Sequence, residues 1–436
     1  MAVRHLSSGV GTGGQKPALV AVAATLACVI AAMALLWPDT QPRSLPTGDQ
    51  QVSGTITALA TAGCQATGMG GAMKEPCGRA DVKLNAGPQA GYSVSTTVPG
   101  GPGAPVVKVG EDVVLLYTPS NPEELRYQVI DHERGLQLWL ILAALALAIV
   151  AFGRLRGLTA IAGLGITFGV LLLFVIPAIL SGRPPLLVAI VGSIGIALTV
   201  LYLTHGVSRS TTVAVAGTVT SLTLTGVLAY VAVGATRLSG VADETSANLG
   251  TLYGVNMQGL LLAGILIGSL GVLDDVTVTQ AVTVQELAEA NPSYGFRQLY
   301  AAATRVGRAH IASVINTIIL AYAGASLPLL VLITALNQPV GQVLSDQLVA
   351  TELVRSAVGT IGLIAAVPLT TALAAWWGIR QPGRGAALAA AASGGAPVAS
   401  VGGGVAGSRD RASLLDSEAV TSVKEKVKSA LASVQR

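Results

Sequence analysis

Charged residues are scarce in this sequence, since only 11% of its 436 residues are Asp, Glu, Lys or Arg. Soluble domains carry about 25% charged residues, so most of this chain cannot present a surface to water. The deficit excludes a cytosolic enzyme. Cysteine is scarce too, with three residues in the whole chain.

Several signatures of catalysis and binding are also missing. The chain has no G-x-x-x-x-G-K-[ST] phosphate loop, no H-E-x-x-H zinc pair and no G-x-S-x-G nucleophile elbow. No spacing of His, Cys and acidic residues suggests a metal site. The 26 Lys and Arg residues are scattered through loops, unlike the basic patches of nucleic-acid-binding proteins. We therefore predict no catalytic residues, no enzyme activity, no cofactor, no metal and no nucleic-acid partner.

Long apolar runs dominate what is present. Hydrophobic residues make up 52% of the chain and the mean hydropathy is +0.66. Several runs approach or exceed the roughly 20 residues that cross a hydrocarbon layer of about 30 Å. We predict an α-helical polytopic membrane protein with about eight transmembrane helices. The predicted spans are 18–37, 135–153, 157–180, 186–204, 211–234, 257–284, 311–335 and 353–377.

The chain divides into five predicted segments. Residues 1–17 form a cytoplasmic tail, and 18–37 form an uncleaved signal anchor, because this apolar run is longer than a usual signal-peptide core. A small β domain occupies 38–134 and a seven-helix transmembrane domain occupies 135–380. Residues 381–436 are a flexible Ala/Gly-rich linker followed by a weakly amphipathic tail.

The polar segment between the first two spans has strand patterns separated by Gly-Pro turns. Candidate strands lie at 51–62, 80–84, 92–98 and 106–117, the last interrupted by a turn. The pattern predicts a small all-β domain of barrel or sandwich type.

The distribution of Lys and Arg indicates the orientation of the spans. With the N-terminus inside, ten of these residues lie near the membrane on the inner side and three lie in the short outer loops. Both termini are therefore predicted to be cytoplasmic and the β domain extracytoplasmic. An oxidising compartment would permit a disulfide between Cys64 and Cys77, whereas the sequence leaves their geometry open. Cys28 is predicted to be an inert apolar residue of the first span.

The stretch GVLDDVTVTQAVTV at 271–284 places two adjacent acids in the sixth span. A rise of about 1.5 Å per residue puts them roughly 25 Å into the span, near its inner edge. A carboxylate in the bilayer core costs about 2.5 to 3.5 kcal/mol, so it normally faces protein, water or a counter-charge. Because neighbouring residues point about 100° apart on a helix, both acids cannot face one small site. The predicted proton- or ion-binding residues are these acids and nearby neutral oxygens, which suit hard cations: Asp274, Asp275, Thr277, Thr279, Gln280 and Thr283.

Two other local structures compete with a continuous helix at the acids. The Val-Thr-Val-Thr alternation also fits a broken or re-entrant segment, because β-branched residues form helices poorly. Alternatively, the helix ends near Leu273 and leaves both acids in interfacial water. Residues 285–310 are predicted to form a cytoplasmic hairpin with its turn at Asn291-Pro292. The hairpin carries candidate charge partners for the acids, although the inner-side bias explains its arginines equally well: Arg305, Arg308 and His310.

Small residues in the sixth span predict close helix packing. Gly264 and Gly268 match the G-x-x-x-G motif of membrane helices. Thr218, Ser221 and Thr225 form a hydroxyl stripe on the preceding span, and this stripe is positioned to meet the glycine face.

The string GVLDDVTVTQAVTVQELAEANP, residues 271–292, resembles the signature of the YibE/F-like family of bacterial integral membrane proteins. The resemblance extends to an N-terminal anchor, a β domain ending in a segment like 107–115, and a block of seven spans. It covers about residues 18–380, with the linker and tail as additions. The resemblance implies a multi-pass protein of the bacterial inner membrane and brings no catalytic or ligand residues.

Two functions are compatible with these features. The leading hypothesis is that the protein moves a small solute or ion, with Asp275 or Asp274 as the proton or cation binder. The alternative is a non-transporting scaffold or sensor whose β domain binds a partner while the spans anchor it. A protein partner at the β domain or the C-terminal tail, and the lipid bilayer itself, are the predicted interactions.

Overall fold

The computed structural model describes residues 16–38, 50–60, 76–99, 106–122, 125–242, 244–335 and 339–379. The predicted linker and tail, most of the predicted N-terminal tail, Cys64 and the side chain of Cys77 lie outside these described residues. The predicted disulfide therefore lies outside them as well. Cys28 is an exposed free cysteine.

Within the described part of the chain, seven helices are long and apolar enough to cross a membrane. They are α2 (Gly135–Gly153), the rod formed by α3 (Leu155–Val170), a π-helical turn (Leu171–Val175) and α4 (Ile176–Leu180), then α5 (Pro185–His205), α6 (Arg209–Ala235), α8 (Met257–Ala290), α9 (Phe296–Ala325) and α12 (Gln347–Ile379). The first predicted span corresponds to α1 (Lys16–Leu36), and the shorter helices are α7 (Glu244–Tyr253), α10 (Leu327–Ala335) and α11 (Val340–Ser345). The protein is mostly helical and has the apolar helices of a multi-pass membrane protein.

Helix α8 runs without interruption through the two acids. Its start is fixed by Asn256, whose side-chain oxygen accepts the Gly259 N–H at 2.7 Å, and its end precedes the turn at Asn291. The alternatives of a re-entrant segment and of a helix ending near Leu273 are therefore wrong. Two β-branched residues beside the acids, Val276 and Thr277, are fully buried, and that packing outweighs their weak helix propensity.

The span predicted at 311–335 differs from the observed helices. Helix α9 begins fifteen residues earlier, where the Gln298 side chain accepts the Gly295 N–H at 2.9 Å, and a turn at Ser326 separates it from α10. The arginines at 305 and 308 lower the hydropathy of this segment, but both side chains are exposed and do not interrupt the helix. Helices α8 and α9 thus form a helical hairpin around the predicted turn at Asn291-Pro292.

The β domain is a closed five-stranded barrel. Its strands are β1 (Gln50–Ala60), β2 (Pro76–Leu84), β3 (Ser93–Pro99), β4 (Asp112–Tyr117) and β5 (Tyr127–His132). They follow the order β1-β2-β3-β5-β4, and only β3 and β5 pair in parallel. This is the strand order of an OB-fold, a small Greek-key barrel.

Alternating side chains fill the interior of the barrel. Val52, Ile56, Val82 and Leu115 are at most 4% exposed, while their neighbours along each strand face outward. Strand β5 was not predicted, because its six residues YQVIDH include polar and charged side chains. It pairs with both β3 and β4 and so closes the sheet into a barrel instead of a sandwich.

The centre of the helical bundle is formed by α6, α8 and α12, which pack against one another. Helix α5 lies against α8, and α9 lies against α8 and α12. Helix α2 contacts α3 and buries none of its own residues, as expected of a helix that faces lipid. The three central helices hold the buried polar side chains described next.

Candidate functional site

The two acids of α8 face different surroundings. Asp274 is half-buried, with its Oδ1 atom fully buried, and it lies on the same side of the helix as Thr277 and Gln280, which are fully buried. Asp275 points outward, and its side chain is 72% exposed. The bundle therefore encloses one of the two acids, and that acid is Asp274.

A hydrogen-bonded chain connects Asp274 to α6. The hydroxyl oxygens of Thr218 and Thr277 lie 2.7 Å apart, and neither residue is exposed. The Thr277 hydroxyl also lies 3.1 Å from the backbone carbonyl oxygen of Asp274. The Thr218 side chain also lies beside the Asp274 carboxyl group and interacts with it. The carboxyl and two hydroxyls thus form a closed ring of polar contacts between α6 and α8.

The ring can adopt a hydrogen-bonding pattern for each protonation state of Asp274, because each hydroxyl donates one hydrogen bond. With Asp274 ionised, Thr277 donates to Thr218 and Thr218 donates to the carboxylate. With Asp274 protonated, the carboxyl donates to Thr218, Thr218 donates to Thr277, and Thr277 donates to the Asp274 backbone carbonyl. Both hydroxyls keep a partner in either state, so a proton can be gained or lost without leaving a buried hydroxyl unsatisfied.

A second polar pair lies two turns further along α8. The hydroxyl of Thr371 in α12 donates to Gln280 Oε1 at 2.9 Å, with both residues fully buried. The other end of the amide, Nε2, packs against Gly307 of α9, where an added Cβ would lie 2.5 Å from it. Gly307 therefore provides the space that the Gln280 side chain occupies between α8, α9 and α12.

Several buried polar atoms near these pairs have no hydrogen-bond partner among the described residues. They are Ser221 Oγ, Asp274 Oδ1, Gln280 Nε2, Thr304 Oγ1 and Thr370 Oγ1. Buried polar atoms are nearly always paired with protein, water or a ligand. These atoms therefore give α6, α8, α9 and α12 buried donors and acceptors that no described residue pairs.

The remaining predicted residues lie outside this interior. His310 Nε2 is buried without a hydrogen-bond partner and lies 4.0 Å from Asp275 Oδ2. Thr279 and Thr283 are half-buried, and the Thr283 hydroxyl donates to the carbonyl of Thr279 at 2.7 Å.

The candidate charge partners contribute unequally. Arg305 and Arg308 are exposed, and in the described structure neither forms an ion pair with Asp274 or Asp275. Of the three candidate partners, the structure brings His310 close to an acid. Over the same described residues, no group of three or more His, Cys, Asp or Glu side chains is arranged to hold a metal ion.

Sequence reasoning missed the contribution of α12 to the site. Thr371 follows Pro368, which lies inside α12 and has no N–H to donate to the carbonyl of Ile364. The sequence Pro-Leu-Thr-Thr at 368–371, in an otherwise apolar span, is the pattern that could have identified the contribution of α12. Thr218 was assigned to packing, and its contact with Asp274 was not predicted.

The predicted contact between the glycine face of α8 and the hydroxyl stripe of α6 is not observed. Gly264 is exposed, with nothing within 4 Å of an added Cβ, and an added Cβ at Gly268 meets the Tyr322 hydroxyl at 3.8 Å. The stripe residue Thr225 instead packs against Gly362 of α12. The close helix approach that involves the hydroxyl stripe is therefore between α6 and α12.

The seven helices of the described residues that are long and apolar enough to cross a membrane define a multi-pass membrane protein. The family model described as YibE/F-like protein matches residues 141–380, which is more than half of the chain. The chain therefore belongs to the YibE/F-like family, as its resemblance at 271–292 predicted. No curated protein and no solved structure matches it. The matched region contains the whole Asp274 site and leaves the β barrel outside.

Proposed function

We propose that this membrane protein moves a small solute or ion, and that Asp274 binds the proton that accompanies the movement. The ring of Asp274, Thr218 and Thr277 carries the proposal, since both hydroxyls can keep a hydrogen-bond partner whether the carboxyl group is protonated or ionised. An acid inside a membrane-spanning bundle is costly and is usually retained for a function.

A proton suits this site better than a metal cation. Calcium takes six to eight oxygen ligands and magnesium takes six in a near-ideal octahedron. Asp274 is the one carboxyl of the ring, and its close neighbours are two hydroxyls and a backbone carbonyl that already bond to one another. Protonation needs one oxygen of Asp274 and no further ligands.

Proteoliposomes provide the test. Purified protein is reconstituted with a pH-sensitive dye inside, and proton entry is followed under an imposed potassium-diffusion potential. We expect Asp274→Asn to reduce the protein-dependent flux at least about tenfold, because the amide cannot exchange a proton. Asp275→Asn is the matched control on the same helix and should retain most of the flux. A flux in Asp274→Asn that equals the wild-type flux, when both exceed that of protein-free liposomes, would overturn the proposal.

If protons move only together with the solute, the proteoliposomes will show no flux. An infrared titration in nanodiscs then detects the protonation of Asp274 directly. The wild type should show a carboxylic acid C=O band that disappears as the pH rises and is missing in Asp274→Asn. A spectrum unchanged by Asp274→Asn would exclude Asp274 as the proton site.

We also propose that both termini lie in the cytoplasm and the β barrel lies on the outer side of a bacterial inner membrane. The bias of Lys and Arg supports this orientation. In a cysteine-free background, a membrane-impermeant maleimide should label Ser120→Cys in the barrel of intact cells. Ser293→Cys, in the turn between α8 and α9, should react only after the membrane is opened. The reverse pattern would invert the orientation.

A scaffold or sensor function is the second candidate, and the barrel supports it. Barrels with this strand order commonly bind ligands on the face of β2 and β3 and through adjacent loops. The barrel also exposes apolar side chains, including Tyr92 at 71% and Val109 at 59%. This function requires that deletion of residues 50–132 abolishes the cellular phenotype while Asp274→Asn preserves it.

A further inference from the structure

We propose that a cavity at the N-terminal ends of α8 and α12 binds a small zwitterion, a ligand that carries both an oxyanion and an ammonium group. The cavity has a volume of about 510 Å³. Its apolar wall includes Met257, Leu260 and Leu329, and its polar wall includes Thr351, Glu352 and Arg355. Leu260 and Asp274 are 14 residues apart on α8, which corresponds to about 21 Å, so the cavity is separate from the proton site.

The guanidinium of Arg355 has an unused binding edge. Its Nη1 lies 2.9 Å from Glu352 Oε1, and its Nε is buried with no hydrogen-bond partner. Arginine binds oxyanions through two parallel N–H groups. With Nη1 occupied by Glu352, the edge formed by Nε and Nη2 remains for the oxyanion of a ligand.

Thr351 adds a second unpaired group on the same face of α12, one turn before Arg355. It is 4% exposed, and its hydroxyl is buried without a hydrogen-bond partner. An unpaired buried hydroxyl costs roughly 1 to 3 kcal/mol. A ligand oxyanion that accepts from both Arg355 and Thr351 would remove that cost.

The ion pair of Glu352 and Arg355 has no net charge, and this favours one class of ligand. Glu352 and Arg355 are each about one-third exposed and together carry no net charge. A simple anion gains from Arg355 but is repelled by Glu352, and a simple cation meets the opposite balance. A zwitterion places its oxyanion on Arg355 and its ammonium on Glu352. Free amino acids and the phosphoethanolamine headgroup of a lipid share this chemistry.

The rim of the cavity is held in place before any ligand binds. The Gln258 side chain donates to the carbonyl of Leu238 at 3.2 Å, and the Gln347 side chain donates to the Ser239 hydroxyl. At Gly240 the backbone has a φ of +82°, and an added Cβ would overlap the carbonyl of Met257. These contacts fix the segment after α6 against α8 and α12, which is typical of a preformed binding site.

Equilibrium binding to the full-length protein in nanodiscs tests the proposal, and it needs no flux, so its failure would leave the proton site untouched. Calorimetry compares glycine, a zwitterion, with acetate and methylammonium, which carry only its anionic group or only its cationic group. A parallel arm compares nanodiscs of phosphatidylcholine with nanodiscs that contain phosphatidylethanolamine, using native mass spectrometry to detect retained lipid. Binding of glycine supports a free solute, and retention of phosphatidylethanolamine supports a lipid headgroup.

Variants assign the binding to the cavity. Arg355→Lys keeps the positive charge but removes the two parallel N–H groups of the guanidinium, so zwitterion binding should weaken at least about tenfold. Glu352→Gln should weaken it similarly, whereas Arg305→Lys, at an exposed position of α9, is the control and should have no effect. Thr351→Val keeps the shape of the side chain and should weaken binding even if the charge variants unfold. Acetate binding as tight as glycine binding, or zwitterion binding that is unchanged in Arg355→Lys and Thr351→Val, would overturn the proposal.

Discussion

Thr218 of α6 and Thr277 of α8 share a hydrogen bond of 2.7 Å between their hydroxyl oxygens at the centre of the bundle. The two residues are 59 positions apart in the sequence, so the bond joins helices and not neighbouring turns. It also fixes the hydroxyl that contacts Asp274. The bond therefore contributes both to the packing of α6 on α8 and to the geometry of the acid.

A double-mutant cycle should detect this bond. Hydrogen bonds between membrane helices contribute about 0.6 kcal/mol on average and up to about 1.7 kcal/mol. We expect Thr218→Val and Thr277→Val to show a coupling energy in this range, because valine keeps the shape of threonine and removes the hydroxyl. The measurement is the free energy of unfolding in mixed detergent micelles for the wild type, both single variants and the double variant.

The control pair for this cycle is Thr223→Val and Thr283→Val on the same two helices. Each of these hydroxyls donates to a carbonyl of its own helix, four residues earlier, at 2.8 Å and 2.7 Å respectively. Their coupling energy should be close to zero. Equal coupling in the two cycles would contradict a specific bond between Thr218 and Thr277.

Gly362 of α12 is expected to tolerate no larger residue. An added Cβ would overlap Thr225 Oγ1 and lie 3.1 Å from Thr225 Cβ. Thr225 cannot easily turn away, because its hydroxyl donates to the Ser221 carbonyl at 2.8 Å. Gly362→Ala should therefore lower the free energy of unfolding by about 1 to 3 kcal/mol, the usual cost of overpacking.

Gly264→Ala is the matched variant, since nothing lies within 4 Å of its added Cβ. Alanine favours a helix interior over glycine by about 1 kcal/mol, so this change should be neutral or stabilising. Opposite signs for the two glycines are the expected result of chemical or thermal unfolding. A destabilising Gly264→Ala would indicate that the G-x-x-x-G motif packs against a second molecule.

The apolar spans were predictable because a backbone in lipid must satisfy its own hydrogen bonds. The predicted spans for α2, α3–α4, α5 and α6 end within two residues of the observed helices. Strand β5 and the start of α9 were missed, since both contain charged residues that face outward. In these two elements, tertiary packing and not hydropathy determines the structure.

The candidate site was predictable only in part. The acids stand out in an apolar span. Because adjacent residues on a helix point about 100° apart, Asp274 and Asp275 face different directions. The packing of α6 and α12 against α8 decides which of the two faces inward. The partners Thr218 and Thr371 come from helices 56 and 97 residues away from Asp274 in the chain. No local pattern around the acids specifies such distant contacts.

The connection between the barrel and α2 contains an ion pair with a defined pH dependence. Asp131 accepts from both terminal nitrogens of Arg134, at 2.6 Å and 2.7 Å, and from the backbone N–H of His132 at 2.8 Å. The hydrogen bonds from Arg134 and then from His132 lower the pKa of Asp131 from 3.8 to about 2. Because the folded pKa lies below the unfolded pKa, this carboxylate stabilises the fold above about pH 4, and the contribution is lost as the pH falls through about 2.

Removing the arginine should therefore move the titration of Asp131. In protein with ¹³C-labelled aspartate, the carboxyl chemical shift of Asp131 should titrate near pH 2 in the wild type. Arg134→Gln should raise this pKa toward 3.8, since the largest of the lowering interactions is gone. Arg126→Gln is the control, because Arg126 Nε donates to the Asn121 carbonyl at 3.3 Å and should leave the titration in place. A pKa of Asp131 that is the same in Arg134→Gln and the wild type would show that the pair does not persist in solution, and the barrel would then lack this contact at its junction with α2.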